Sequence, residues 1–109
     1  MLRQSVAGRA VFISSTAGQH PHPYWSVYAV SKAGLEMLVK TYAHEVYKTT
    51  INVNLFNPGG TRTNMRANAF PGEDPMTLKT PEFVANQIVE MTLPSYKDNG
   101  QTVTALSPK

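Results

Sequence analysis

A hydroxyl at Ser15, a phenol at Tyr28 and an ammonium at Lys32 have the types and the order that proton transfer to or from an oxygen atom needs. Tyr28 and Lys32 stand four positions apart, so on a helix they share one face, a turn apart, with the lysine head in reach of the phenol. A free phenol titrates at about 10 and is a poor base near neutrality, but a neighbouring cation favours the phenolate and makes it usable as an acid and base. Ser15 follows the apolar run Ala10-Val11-Phe12-Ile13, which reads as a short buried strand. A strand ending there delivers the serine to the carboxyl edge of its sheet, where open α/β sheets bind ligands.

The elements that must position these groups follow in the order strand, helix, strand, short helix, helix, strand. The first strand covers residues 10–14, and its nearly continuous apolar character suits a sheet covered on both faces. Residues 18–25 form a loop punctuated by Pro21 and Pro23, and Ser26 is the expected N-cap of a helix over 27–47, where Val27, Ser31, Leu35, Leu38, Tyr42 and Val46 recur at helical spacing. Ala29, Ala33 and Gly34 on that helix leave room for close approach of another helix. Residues 50–55 alternate as a second strand, stopped by Asn57-Pro58-Gly59-Gly60, where proline removes a donor and glycine permits positive φ.

Residues 63–70 hold helix formers and break at Pro71-Gly72, and the polar stretch to Thr80 reads either as a mobile segment that closes over a reaction or as a plain surface excursion, which would look identical in sequence. Thr80-Pro81 is a helix start, with Val84, Ile88 and Met91 as its core stripe and Pro94 beyond its end. Asn99-Gly100 signals a turn into a last strand over 101–106. His20 and His22 sit beside Tyr24-Trp25, but a catalytic zinc needs three protein ligands and the remaining histidine, His44, lies on the long helix, so no metal site is expected. The loop reads as one lined with polar and aromatic residues; if the site is oxidoreductive, it shapes the substrate pocket, with Trp25 as a specificity residue.

Composition narrows the classes further. With 109 residues and 41% apolar content the chain supports one modest core, a single domain or part of one. No apolar run approaches the roughly 18 residues of a bilayer span, and the N-terminus lacks a secretory layout, which makes the cytoplasm the expected location and membrane association unexpected. Zero cysteines exclude disulfides and thiolate catalysis. The net charge of +3 is spread along the chain rather than gathered on a basic face, which argues against nucleic-acid binding.

Taken together, Ile13-Ser14-Ser15-Thr16-Ala17-Gly18, Tyr28-Ala29-Val30-Ser31-Lys32-Ala33-Gly34-Leu35, Asn52-Val53-Asn54 and Asn57-Pro58-Gly59-Gly60-Thr61-Arg62-Thr63 resemble the C-terminal half of a short-chain dehydrogenase/reductase. The stretch from Phe56 to Arg66 is most similar to a little-characterised bacterial group of such oxidoreductases. The resemblance implies a partial Rossmann-type, doubly wound parallel α/β sheet of about three strands with flanking helices. It also implies hydride transfer between NAD or NADP and a small carbonyl or alcohol substrate. Ser15 would bind the substrate oxygen, Tyr28 would be the acid/base, and Lys32 would support Tyr28 and hold the nicotinamide ribose. Pro58, Gly59, Thr61 and Thr63, the last closing a P-G-x-x-x-T pattern, would line the cofactor. In the family the long helix packs against its symmetry mate, so a homo-oligomer is expected of the full-length parent.

The family's glycine-rich first turn has no counterpart, since no G-x-G-x-x-G occurs. Residues 1–109 are therefore expected to be one partial domain lacking its N-terminal, cofactor-binding half. The competing expectation is a truncated, non-catalytic chain that associates through its long helix, leaving a first strand with an unpaired edge.

Overall fold

A computed structural model describes residues 4–18 and 23–106. Three parallel strands, β1 (Arg9–Ile13), β2 (Asn52–Asn57) and β3 (Thr102–Thr104), lie in the order β1-β2-β3. Arg9 pairs with Asn52 and Ile13 with Phe56; Leu55 pairs with Thr102 and Asn57 with Thr104. The long helix α1 (Ser26–Val46) connects β1 to β2, while α2 (Asn64–Ala69) and α3 (Pro81–Met91) lie between β2 and β3.

β2 is the hub, and its alternation decides which helix covers which face. Val53 and Leu55 point to one side and pack with Val39, Ala43 and Val46 of α1 and with Ile51. Phe56 points to the other, against Val84 and Met91 of α3. Because successive residues of a strand face opposite ways, one run of six residues feeds two cores, which is the doubly wound α/β layering that the family resemblance implies. Asn54 is buried in this hub, donating to the Asp98 carbonyl at 2.9 Å and accepting from the Gln101 N–H at 3.0 Å, so its amide is satisfied without a neighbouring strand.

Several boundaries differ from the sequence expectation, each for a local reason. The second strand was expected over 50–55 and begins two residues later, because Thr49 closes the exit of α1: its N–H and hydroxyl both donate to the Val46 carbonyl, and its hydroxyl accepts from Ile51. The strand then runs on to Asn57, since the Phe56 carbonyl accepts from Ser14 and the Asn57 carbonyl from Ala105. Ser26 is not the cap of α1; the Ala29 N–H reaches the Trp25 carbonyl at 2.8 Å, which puts Ser26 inside the first turn, and Trp25 caps without a side-chain bond. The last strand is three residues rather than six, because Asn99 does part of its work: the Asn99 side chain accepts from Val53 and donates to the Ala43 carbonyl, tying β2 to the end of α1. Thr80 caps α3 as expected, accepting from the Phe83 N–H at 3.2 Å.

Candidate active site

The carboxyl ends of β1 and β2 open into one cavity of about 610 Å³. Ser15, Tyr28, Lys32, Pro58, Gly59, Thr61 and Thr63 all line it, so residues up to 48 positions apart in sequence meet at one sheet edge. His20 and His22 lie outside the described residues.

β1 ends at Ile13, and Ser14 and Ser15 continue past the sheet; the Ser15 carbonyl then accepts from Gly18 to close a 3-10 turn, Thr16–Gly18. That turn sits so close under α1 that a Cβ on Gly18 would lie 2.9 Å from the Lys32 Cβ and 3.0 Å from its carbonyl carbon. Glycine is needed there for contact, and the contact locks the serine turn to the helix carrying Tyr28 and Lys32. The Lys32 ammonium donates to the Ile13 carbonyl at 3.0 Å and stands 5.8 Å from the Tyr28 ring centroid. One cation thus ties the strand end to the phenol's surroundings.

On the opposite side, Asn57 organises the turn after β2. Its amide donates to the Thr16 hydroxyl at 3.2 Å and accepts from the Gly59 N–H at 3.0 Å, joining the two loops that flank the cavity. Gly59 takes φ +65°, the left-handed region that strains other residues. Thr63 caps α2, accepting from the Arg66 N–H at 3.1 Å, which leaves its hydroxyl hydrogen to serve another acceptor. Ser14, next to Ser15 and 3% exposed, lines the same cavity, and its hydroxyl has no hydrogen-bond partner among the described residues.

The remaining wall comes from Trp25, Met65, Arg66, Ala69 and Phe70. Trp25 stacks on Phe70, with centroids 5.8 Å apart and planes at 24°, and meets Tyr28 edge-on at 5.7 Å. The Arg66 guanidinium lies over Phe70 at 4.0 Å and forms two bonds to Glu73, of 2.8 and 2.9 Å. Hydrogen bonding to Arg66 holds the Glu73 carboxyl below its ordinary range, and the same bonds raise the guanidinium further. Sequence reasoning assigned nothing to Asn57, Arg66 or Phe70. The available signals were an Arg-Phe pair at helical i, i+4 spacing and opposite charges astride the Pro71-Gly72 turn.

Comparison with known proteins decides the family. The sequence profile of the short chain dehydrogenases matches residues 1–74. The chain belongs to this family. An Escherichia coli K12 relative, described as the uncharacterized oxidoreductase YciK, is 49% identical over 81 residues, covering 74% of this chain and 32% of its own length. The crystal structure of a short chain dehydrogenase from Salmonella enterica serovar Typhi superposes with a TM-score of 0.91 at 40% identity, over 97% of this chain and 44% of that one. A short chain dehydrogenase from Shigella flexneri 2a, solved in complex with NADP, gives a TM-score of 0.85 at 42% identity, over 95% of this chain and 44% of that one. The chain thus spans about a third of its curated E. coli relative and under half of these structures.

Proposed function

We propose that this short chain dehydrogenase chain carries the proton-transfer half of an NAD(P)-dependent oxidoreductase acting on a carbonyl or alcohol. The observation that carries the reading is the meeting of Ser15, Tyr28, Lys32 and the Pro58-Gly59 turn around one cavity at the sheet edge. Residues present suit the nicotinamide end of a dinucleotide. Gly59 keeps the turn free of a side chain, and the buried Ser14 hydroxyl needs a partner that a carboxamide or ribose can supply. The NADP complex of the Shigella relative supports the same class of cofactor. Pro58, Gly59, Thr61 and Thr63 would hold it beside Tyr28 and Lys32.

When bound, such a cofactor supplies or accepts the hydride. In the reductive direction Ser15 hydrogen-bonds the carbonyl oxygen, Tyr28 donates its phenolic proton to that oxygen, and Lys32 stabilises the phenolate left behind. Lys32 is suited to this because its bond to the Ile13 carbonyl leaves two of its three N–H groups for other acceptors. In the oxidative direction the same groups reverse their roles.

Tyr28→Phe is the direct test: carbonyl reduction linked to NADPH oxidation falls by at least about a hundredfold while the circular dichroism spectrum is unchanged. Undiminished turnover removes Tyr28 from the mechanism. A second reading, association rather than catalysis, draws on the outer edge of β1, which pairs with no described strand, and on the exposed Val27, Val30, Met37 and Leu38 of α1. Titration of the purified chain with NADH and NADPH separates the two: saturable binding favours the oxidoreductase, and an oligomer that binds neither favours association. Among the described residues no helix is long and apolar enough to cross a membrane.

A further inference from the structure

The two walls of the cavity have opposite chemistry. One is polar, built from Ser15, Tyr28, Lys32 and the Pro58–Thr63 turn; the other is largely apolar and aromatic, built from Trp25, Met65, Ala69 and Phe70 around the Arg66 guanidinium. Resting on the oxidoreductase reading, we propose that the aromatic wall selects an uncharged, flat aryl carbonyl compound, with its ring against Trp25 and Phe70 and its carbonyl toward Ser15 and Tyr28.

Trp25 and Phe70 lie nearly parallel, and Tyr28 meets Trp25 edge-on, so the three rings form one contiguous aromatic array on the cavity lining. Phe70 and Met65 remain 40% and 64% exposed, which leaves apolar surface for a ligand to cover. A planar π-system gains offset or edge contacts with such an array that a saturated ring of similar size does not. Tyr24 adds a local sign of constraint. It holds φ +68° with its side chain fully exposed, in a strained turn immediately before Trp25.

Arg66 is the cation on this wall. Its guanidinium is doubly bonded to Glu73 and stacked on Phe70, so a substrate carboxylate or phosphate must displace Glu73 to use it. Lys32 is bonded to the Ile13 carbonyl at the polar wall, beside Tyr28. An anionic tail lying along the aromatic wall therefore finds Arg66 already neutralised by Glu73. An uncharged aryl ketone or aldehyde has no need of that cation.

The chain holds a single tryptophan, so indole emission reports on Trp25 alone. The full chain is titrated with acetophenone, cyclohexyl methyl ketone and benzoylformate, with and without NADPH, and followed by Trp25 emission and by saturation-transfer NMR. Acetophenone is expected to bind about fivefold tighter than its saturated analogue and about tenfold or more tighter than its carboxylate analogue. Phe70→Ala, which keeps the reporter, is expected to erase the first difference. Glu73→Gln, which frees Arg66, is expected to raise the benzoylformate-to-acetophenone affinity ratio about tenfold. Equal binding of the saturated ketone, preference for benzoylformate by the unaltered chain, or no saturable response to any of the three overturns the proposal. Since binding is read without turnover, aryl selectivity with a fully active Tyr28→Phe variant would defeat the proton-transfer reading alone. Loss of turnover in that variant without aryl selectivity would defeat this one alone.

Discussion

At the scale of single residues, the site depends on contacts that leave no room. Gly18 is the sharpest case, because besides the Glu36 carboxylate oxygen its Cβ would strike the Lys32 Cβ and backbone, which cannot swing aside as a flexible chain end can. Gly18→Ala is expected to destabilise the fold by about 1–3 kcal/mol, the usual range for overpacking, measured by urea unfolding, and to lower turnover by displacing Lys32 from the Ile13 carbonyl. A variant of unchanged stability and activity would show that the turn yields freely. Asn57 works differently, through two directed bonds that tie the Thr16 turn to Gly59. The sequence displayed the Ser15, Tyr28 and Lys32 set because those residue types at those spacings have few other uses in combination. It hid Asn57, because an asparagine before proline is ordinary turn chemistry until its partners are known.

At the scale of elements, the segment between β2 and α3 is closed upon itself. Thr61 forms a parallel bridge with Lys79, Arg62 donates from its backbone N–H to the Lys79 carbonyl at 2.7 Å and from its side chain to the Pro75 carbonyl at 3.0 Å, and Arg66 grips Glu73. The sequence, compatible with a mobile covering segment and with a plain surface excursion alike, concealed this order, since the closing bonds join residues 7 to 18 positions apart. The Glu73 pair also gives the segment a pH response of known sign. A carboxyl whose value is depressed in the folded state contributes above its unfolded value and loses that contribution as pH falls through the folded one. Limited proteolysis within residues 61–79 is therefore expected to be slow at neutral pH and to accelerate below the ordinary carboxylate range. Glu73→Gln should be cut faster at neutral pH, with a flatter response to acid; identical profiles would show that the pair does not hold the segment.

At the scale of the whole molecule, the described residues leave apolar surface exposed. Phe12 and Ile13 on β1 are 39% and 40% exposed, and Phe12, Leu38 and Tyr42 line an apolar groove of about 270 Å³ between β1 and α1. Ala33 and Gly34 are exposed on α1, with nothing within 4 Å of the position a Gly34 Cβ would take. Exposed apolar surface and an unpaired strand edge favour self-association. Leu38→Lys, at a site outside the cavity, is expected to shift sedimentation toward monomer without loss of secondary structure; an unchanged distribution would place association elsewhere. The α/β class, the two-sided sheet and the candidate trio were determined by sequence, since burial of continuous apolar runs and the spacing of Ser15, Tyr28 and Lys32 are local properties of the chain. Tertiary structure alone decided that Asn57 would join two loops, that Thr49 and Asn99 would reset the strand ends, and that Trp25 and Phe70 would stack on one wall of the cavity. Those outcomes depend on which distant groups meet, and residue type specifies what a side chain can bond but not which partner the fold will bring to it.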